Sequence, residues 1–255
     1  MSSVDSPEVH LQQSWRTNAA VWTAAVRDGQ IPSRRAGTDA AVCSAVLSAN
    51  PKRVLDVGCG EGWLARALTA HGCQVIGVDA SPELIASARA LGGGRFEVMS
   101  CAELGSTAHT LGGPFDVAVC NFSLLGEDIT FVLRAIGDFI RWNGWLVIQT
   151  VHPWMACGDA PYVDGWRIET FEGFGGQFPA AMPWYFRTAG SWWRTIIESG
   201  FTVERWEEPL DPISLRPLSL VMRCGPSGLR YSDQDGAENP AKARRSRPSQ
   251  PLMPS

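Results

Sequence analysis

One stretch limits what this chain can fold into: RVLDVGCGEGWLARALTAHGCQVIGVD, residues 53 to 79. Val54 to Val57 is apolar except for Asp56, and glycines follow at alternate positions, Gly58, Gly60 and Gly62. A helical pattern then opens and ends at Gly72, and a second apolar run, Gln74 to Val78, meets another acid, Asp79. Strand, glycine turn, helix, strand and terminal acid form a βαβ unit, which holds nucleotide-like ligands at the carboxyl ends of its strands.

The flanking sequence extends the alternation. A helix is expected over 8–28, with Trp15, Ala19, Trp22 and Val26 on one face, and another over 38–49, stopped by Asn50-Pro51. Ser81-Pro82-Glu83 reads as a helix start, cap first and proline next. Strands are expected near 95–99, 115–120, 144–151, 201–206 and 217–223, and helices over 101–110, 128–140 and 188–199. The fold class is α/β, a Rossmann-like, mostly parallel seven-stranded sheet with helices on both faces. Residues 153–187 are rich in Gly, Pro and aromatics without a period, so they read as a structureless lid or binding loop. The chain divides into an N-terminal helical lid (1–36), a binding domain (37–224, with 152–187 as an aromatic substrate lid) and a polar, Pro-rich disordered tail (225–255).

Composition narrows the class. Seven cysteines, none in a CxxC pair, indicate reduced thiols and a cytoplasmic protein without a metal site. No run of eighteen apolar residues suggests a membrane span, and the N-terminus lacks a signal-peptide pattern. A net charge of -4 gives no reason to expect nucleic acid, so the expected partner is a small molecule, with the protein a monomer or homodimer. Eleven tryptophans against three tyrosines point to aromatic surface inside a pocket.

Two ligand classes use such a glycine turn. A dinucleotide site wants G-x-G-x-x-G, but Trp63 stands at the third glycine, and Asp56 would repel a pyrophosphate. A ligand bearing an amino group would be attracted instead. The block Asp56–Gly62, D-V-G-C-G-E-G, with Asp79 and the run FDVAVCN, resembles the first motifs of class I S-adenosylmethionine-dependent methyltransferases over roughly residues 38 to 223. The resemblance implies S-adenosyl-L-methionine as cofactor. It also implies that Asp56, Gly58, Cys59 and Gly60 run under the methionine part, that Asp79 accepts the ribose hydroxyls, and that Ser100 and Cys101 flank the adenine. Ala80 and Asn121 join this set from the ends of the second and fourth strands, and the last strand inserts antiparallel beside the fifth. Ser100 departs from the family, which usually has Asp there.

The acceptor lies on the other side. Asn121-Phe122-Ser123-Leu124 lacks the prolines of DNA amino-methyltransferases, and Cys120 lacks the preceding proline of cytosine-5 enzymes. RTNAAVW, NFSLL, VHPW and MPWYFRT look similar to a small-molecule branch near the quinone-biosynthesis methyltransferases. That branch folds an N-terminal helix and a segment after the fifth strand over the cofactor. Arg34 or Arg35 would pair with the cofactor carboxylate, and Arg35 is taken for the site. His152, directly after the fifth strand, is the first candidate for a general base, against the alternative that it caps the strand or orients Trp154. Tyr185 is the second, with Glu169 and Asp164 as further possibilities in the same segment. Trp22, Phe122, Trp154, Trp184 and Tyr185 are expected to face a planar acceptor. The expected reaction is methyl transfer by direct displacement to oxygen or nitrogen of a small aromatic or heterocyclic metabolite. Non-methyl chemistry on the same cofactor (cyclisation or decarboxylation), or a non-catalytic cofactor-binding module, are the alternatives.

Overall fold

A computed structural model of the chain describes residues 6–174 and 177–228. Its elements begin with α1 (Pro7–Arg27), a π-helical turn (Arg34–Thr38), α2 (Asp39–Leu47), β1 (Arg53–Val57), α3 (Trp63–Thr69) and β2 (Gln74–Asp79). They continue with α4 (Pro82–Leu91), β3 (Arg95–Val98), α5 (Cys101–Thr107), a 3-10 turn (Ala108–Leu111), β4 (Phe115–Asn121), α6 (Thr130–Phe139) and β5 (Ile140–Val151). α7 (Pro153–Cys157), β6 (Gly165–Glu169), β7 (Met182–Phe186), α8 (Ala189–Glu198), β8 (Phe201–Glu207) and β9 (Ser219–Pro226) complete it.

Seven strands form one sheet in the order β3-β2-β1-β4-β5-β9-β8. β1 to β5 pair in parallel, and β9 pairs antiparallel with both β5 and β8. This is the α/β, mostly parallel sheet expected, including the antiparallel last strand. The centre explains why the sequence reads as unbroken apolar runs. In β4, Val117, Ala118, Val119 and Cys120 are all fully buried, because helices cover both faces of a parallel strand. One core, around Leu55, Ala118, Ile148 and Met222, packs on one face, and another, around Val54, Val117, Val147 and Val221, on the other. Each such side chain contributes roughly 1.5–3 kcal/mol by leaving water. The helix starts follow local chemistry: Ser81 Oγ accepts from Leu84 N at 3.2 Å with Pro82 in the first turn. No helix among the described residues is long and apolar enough to cross a membrane.

Three expectations are corrected. The buried face of α1 is not the aromatic stripe but Ser14, Asn18, Ala19, Thr23 and Ala25, while Trp15, Trp22 and Val26 are half-buried. Segment 153–187 is not structureless: it holds α7 and an antiparallel hairpin, β6 with β7, in which Gly165 pairs with Phe186 and Glu169 with Met182. Side chains distant in sequence hold it. The Arg167 guanidinium lies 3.7 Å over the Phe186 ring and donates to the carbonyls of Ala156, Cys157 and Pro161. Buried Arg187 donates to the carbonyls of Gly126 and Glu127 at 2.6 and 2.5 Å. Such tethers leave no period in the sequence. The last strand also continues to Pro226, past the start of the expected tail; the tail from residue 229 on, with Arg244, Arg245 and Arg247, lies outside the described residues.

α1 joins the hairpin directly. Asn18 Nδ2 donates to Ser14 Oγ (3.1 Å) and to Ala180 O (2.7 Å), and its Oδ1 accepts from Ala180 N (3.1 Å). A polar residue on a buried helix face is thereby fully used to fasten the first helix to the approach of β7.

Candidate active site

A cavity of about 310 Å³ opens between the carboxyl ends of β1, β2 and β4 on one side and α1 with the hairpin segment on the other. The strand side is a loop shaped by its own backbone. Gly58 N and Cys59 N donate to Val78 O at 2.8 and 3.0 Å, bending the chain across the ends of β1 and β2. Gly58 has φ +75°, and a Cβ there would stand 2.3 Å from Ser123 Cβ, whose hydroxyl donates to Val57 O at 2.6 Å. Only glycine fits. Gly62, at φ +84°, takes the close approach to the neighbouring layer, since a Cβ would meet Phe96 at 2.9 Å and Ala88 at 3.0 Å. Close packing is therefore kept by Gly62, and Trp63 lines the cavity instead, under the Arg34 guanidinium at 4.2 Å.

The two strand-end acids differ. Asp79 accepts from Gly60 N on Oδ2 and from Ser81 N on Oδ1, both at 2.9 Å. Burial raises its pKa, and the Ser81 and Gly60 amides pull it back. Asp56 is 1% exposed, and its Oδ2 is buried without a partner among the described residues. Burial, then the charge of Asp79, pushes Asp56 up to about 7. Asn121 Oδ1, at the end of β4, is likewise buried without a partner among the described residues. Orphaned buried acceptors on a cavity wall are costly unless a ligand donor meets them. Asp56 and Asn121 thus fit a ligand that brings N–H groups and positive charge.

Glu61, inside the glycine run, carries a role the sequence reading missed. Its side chain is fully enclosed and takes Arg66 Nη2 at 2.6 Å and Arg27 Nε at 3.0 Å. Arg66 comes from α3 and Arg27 from the end of α1, so the acid ties the first helix to the glycine loop. A lone charge between two glycines was the available signal.

Of the sequence-predicted residues, Asp56, Gly58, Cys59, Asp79, Ala80, Ser100, Cys101 and Asn121 line the cavity, and Gly60 stands behind it on Asp79. Ser100 is engaged in a capping box: its N–H and hydroxyl donate to Glu103 Oε2 at 2.8 and 2.7 Å, and its Oγ accepts from Glu103 N. The thiols are held protonated. Burial, then Asp79, pushes Cys101 up to about 11, and burial raises Cys59 and the fully enclosed Cys120 well above the thiol range.

Other candidates are displaced. Arg35 does not reach the cavity wall; Arg34 does, and it already forms a bidentate pair with Asp39 at 2.9–3.1 Å. Burial raises Asp39 above its ordinary value despite that pair. His152 is buried away from the cavity as the N-cap of α7: Nδ1 accepts from Met155 N at 3.4 Å, and Nε2 lies 2.7 Å from Glu208 Oε1. It caps the following helix, neither the strand nor Trp154. Trp154 is 68% exposed and packs on Tyr162. Tyr185 lies on the far face of the hairpin against Trp166, since alternate residues of a strand face opposite ways. Asp164 Oδ1 accepts from Thr188 N at 2.8 Å, at the start of α8.

Trp22, Phe122 and Trp184 do line the cavity, joined by Trp15, Phe171, Phe174, Met182 and Glu169. Trp22 meets Trp15 edge-on at 5.1 Å and Phe174 at 6.0 Å, and Phe171 stacks on Phe178 at 4.3 Å. Phe122 (φ 53°) and Phe171 (φ 62°) hold left-handed conformations that bulky residues avoid. Both aromatic residues in this conformation face the same cavity.

Residues 34–205 match the family model described as a methyltransferase domain. An uncharacterized methyltransferase of Schizosaccharomyces pombe is 29% identical over 170 residues, 64% of each chain. The ubiquinone biosynthesis O-methyltransferase of Idiomarina loihiensis is 41% identical over 124 residues, 45% of this chain. The chain spans 51% of that relative's length. Among solved structures, the S-adenosylmethionine dependent methyltransferase of Mesorhizobium loti superposes with a TM-score of 0.53 at 26% identity, covering 71% of this chain and 97% of its own.

Proposed function

Because the chain belongs to the methyltransferase-domain family, matched over residues 34–205, we propose that it transfers a methyl group from S-adenosylmethionine to oxygen or nitrogen of a small aromatic metabolite. One observation carries the reading most: an Asp56 oxygen, buried and unpartnered among the described residues, beside Asp79 on a cavity whose opposite wall is aromatic. The cofactor would supply a methyl group made electrophilic by its bond to a sulfonium. Asp56 would hold its amino group and Asp79 its ribose diol, with Met99, Leu104 and Leu84 beside the adenine.

The remaining work falls to the chain's own geometry. The loop amides that hold Asp79 fix where the sugar is gripped, and the Gly58 turn brings backbone alongside the ligand without a side chain between. Trp22, Phe171, Phe174 and Trp184 offer ring faces on which a planar acceptor stacks, and they keep water out. For a displacement, aligned approach in a dry site supplies much of the rate, up to about 7–11 kcal/mol in favourable cases. The Schizosaccharomyces pombe and Idiomarina loihiensis relatives support the reading at the level of family and branch.

Calorimetry with S-adenosylhomocysteine, which retains the amino group and the diol, tests it. Binding is expected, with an affinity that depends on pH. A ligand ammonium favours ionised Asp56, whose carboxyl titrates at about 7 in the free protein. Binding below that pH therefore releases a proton, and affinity falls as the solution is acidified, by up to about tenfold per pH unit. Absence of binding at millimolar ligand sinks the reading; binding with no pH dependence removes Asp56 from it. Stoichiometric accumulation of S-adenosylhomocysteine with a methylated acceptor during turnover separates methyl transfer from other chemistry on the same cofactor.

A further inference from the structure

We infer that Glu169 selects the acceptor, favouring a planar ring that offers it an N–H or O–H group and rejecting one that carries a carboxylate there. The inference rests on the acceptor side of the function proposed above and goes beyond it in naming what the acceptor must present. The charged groups of the cavity sort by position. Asp56 and Asp79 stand at the strand ends, Arg34 and Asp39 neutralise each other, and the charge of Arg16 is felt at Glu83, beside Ser81. On the hairpin side Glu169 is the one ionisable group of the wall among the described residues, set with Phe171, Phe174 and Trp184.

Its placement is enforced. Glu169 closes β6 opposite Met182, and its Oε1 accepts from Phe171 N at 2.6 Å. That bond holds Phe171 in its left-handed turn, which in turn stacks Phe171 on Phe178. The same carboxylate therefore shapes the aromatic wall and faces the cavity beside it. No hydrogen bond to Oε2 and no ion pair to Glu169 exists among the described residues; Arg167, two residues away, is spent on the carbonyls of Ala156, Cys157 and Pro161. An arriving ring strips water from this carboxylate, which then requires a donor; a second carboxylate would meet like charge at a group that forms no ion pair among the described residues.

The test uses three ligands of equal shape: 2-naphthol, 2-naphthylamine and 2-naphthoate, titrated calorimetrically into the full chain with and without S-adenosylhomocysteine. Naphthol and naphthylamine are expected to bind more than about tenfold tighter than naphthoate. Glu169→Gln keeps an oxygen for Phe171 N–H but loses the charge, and is expected to level the three to within about threefold. Glu169→Asp retains the charge and is expected to retain the order. Equal or tighter binding of naphthoate to the wild-type chain, failure of all three to bind, or an order unchanged in Glu169→Gln would each overturn the inference. Failure of S-adenosylhomocysteine to bind counts instead against the proposed function, while the ligand order still decides the role of Glu169.

Discussion

The two walls of the cavity are built by different means. On the strand wall the loop's backbone contacts join residues close in the fold of the βαβ unit: Gly58 and Cys59 to Val78, Gly60 and Ser81 to Asp79. On the hairpin wall the fastenings cross the chain, as between Asn18 and Ala180, 162 residues apart. The first wall is specified by backbone conformation and the absence of side chains; the second by individual polar side chains on buried faces. A change at one therefore distorts a shape, whereas a change at the other releases a fastening.

The largest effect is expected from Gly58→Ala. The left-handed conformation and the overlap with Ser123 together cost about 2–5 kcal/mol, read as a lower urea midpoint with loss of S-adenosylhomocysteine binding. An unchanged midpoint would break the claim that this wall is a matter of backbone shape. Asn18→Ala removes the link to Ala180 and leaves its part-buried N–H and C=O unpaired, for roughly 1–3 kcal/mol. Limited proteolysis should then cut between 170 and 182 faster while the sheet core stays protected; equal loss of protection in both would erase the distinction between the walls. The smallest effect is His152→Ala. Losing the cap of α7 costs about 1 kcal/mol, and the pH profile of turnover should not move, because His152 does not reach the cavity. A profile that does move would return His152 to the chemistry.

This difference also explains what the sequence disclosed. Alternate glycines between Asp56 and Asp79 encode their wall locally, so the strands, the turn and most lining residues on that side were legible. The hairpin was not: β6 and β7 are five residues each, separated by twelve, and their register depends on tethers from Arg167 and Arg187 that have no period. Tyr185 and Trp184 show the limit most plainly. Adjacent in a strand, they face opposite ways, and no composition argument says which faces in. His152 was placed correctly after β5, but its ring turned back to cap the following helix, an outcome set by Pro153 at the first helical position. Arg34 and Arg35 differ by about a quarter-turn of helix, enough to send one to the cavity and the other away from it.

The Arg27–Glu61–Arg66 cluster bears on how the molecule divides. Because α1 ends in a guanidinium that neutralises an enclosed acid of the glycine turn, the first helix is a component of the ligand loop and not an accessory laid over it. A chain begun after residue 28 would keep every strand of the sheet yet leave Glu61 with half of its counter-charge. Its deficit would surface at the loop, far in sequence from the cut. By that ion pair α1 belongs with the glycine turn, well before the first strand.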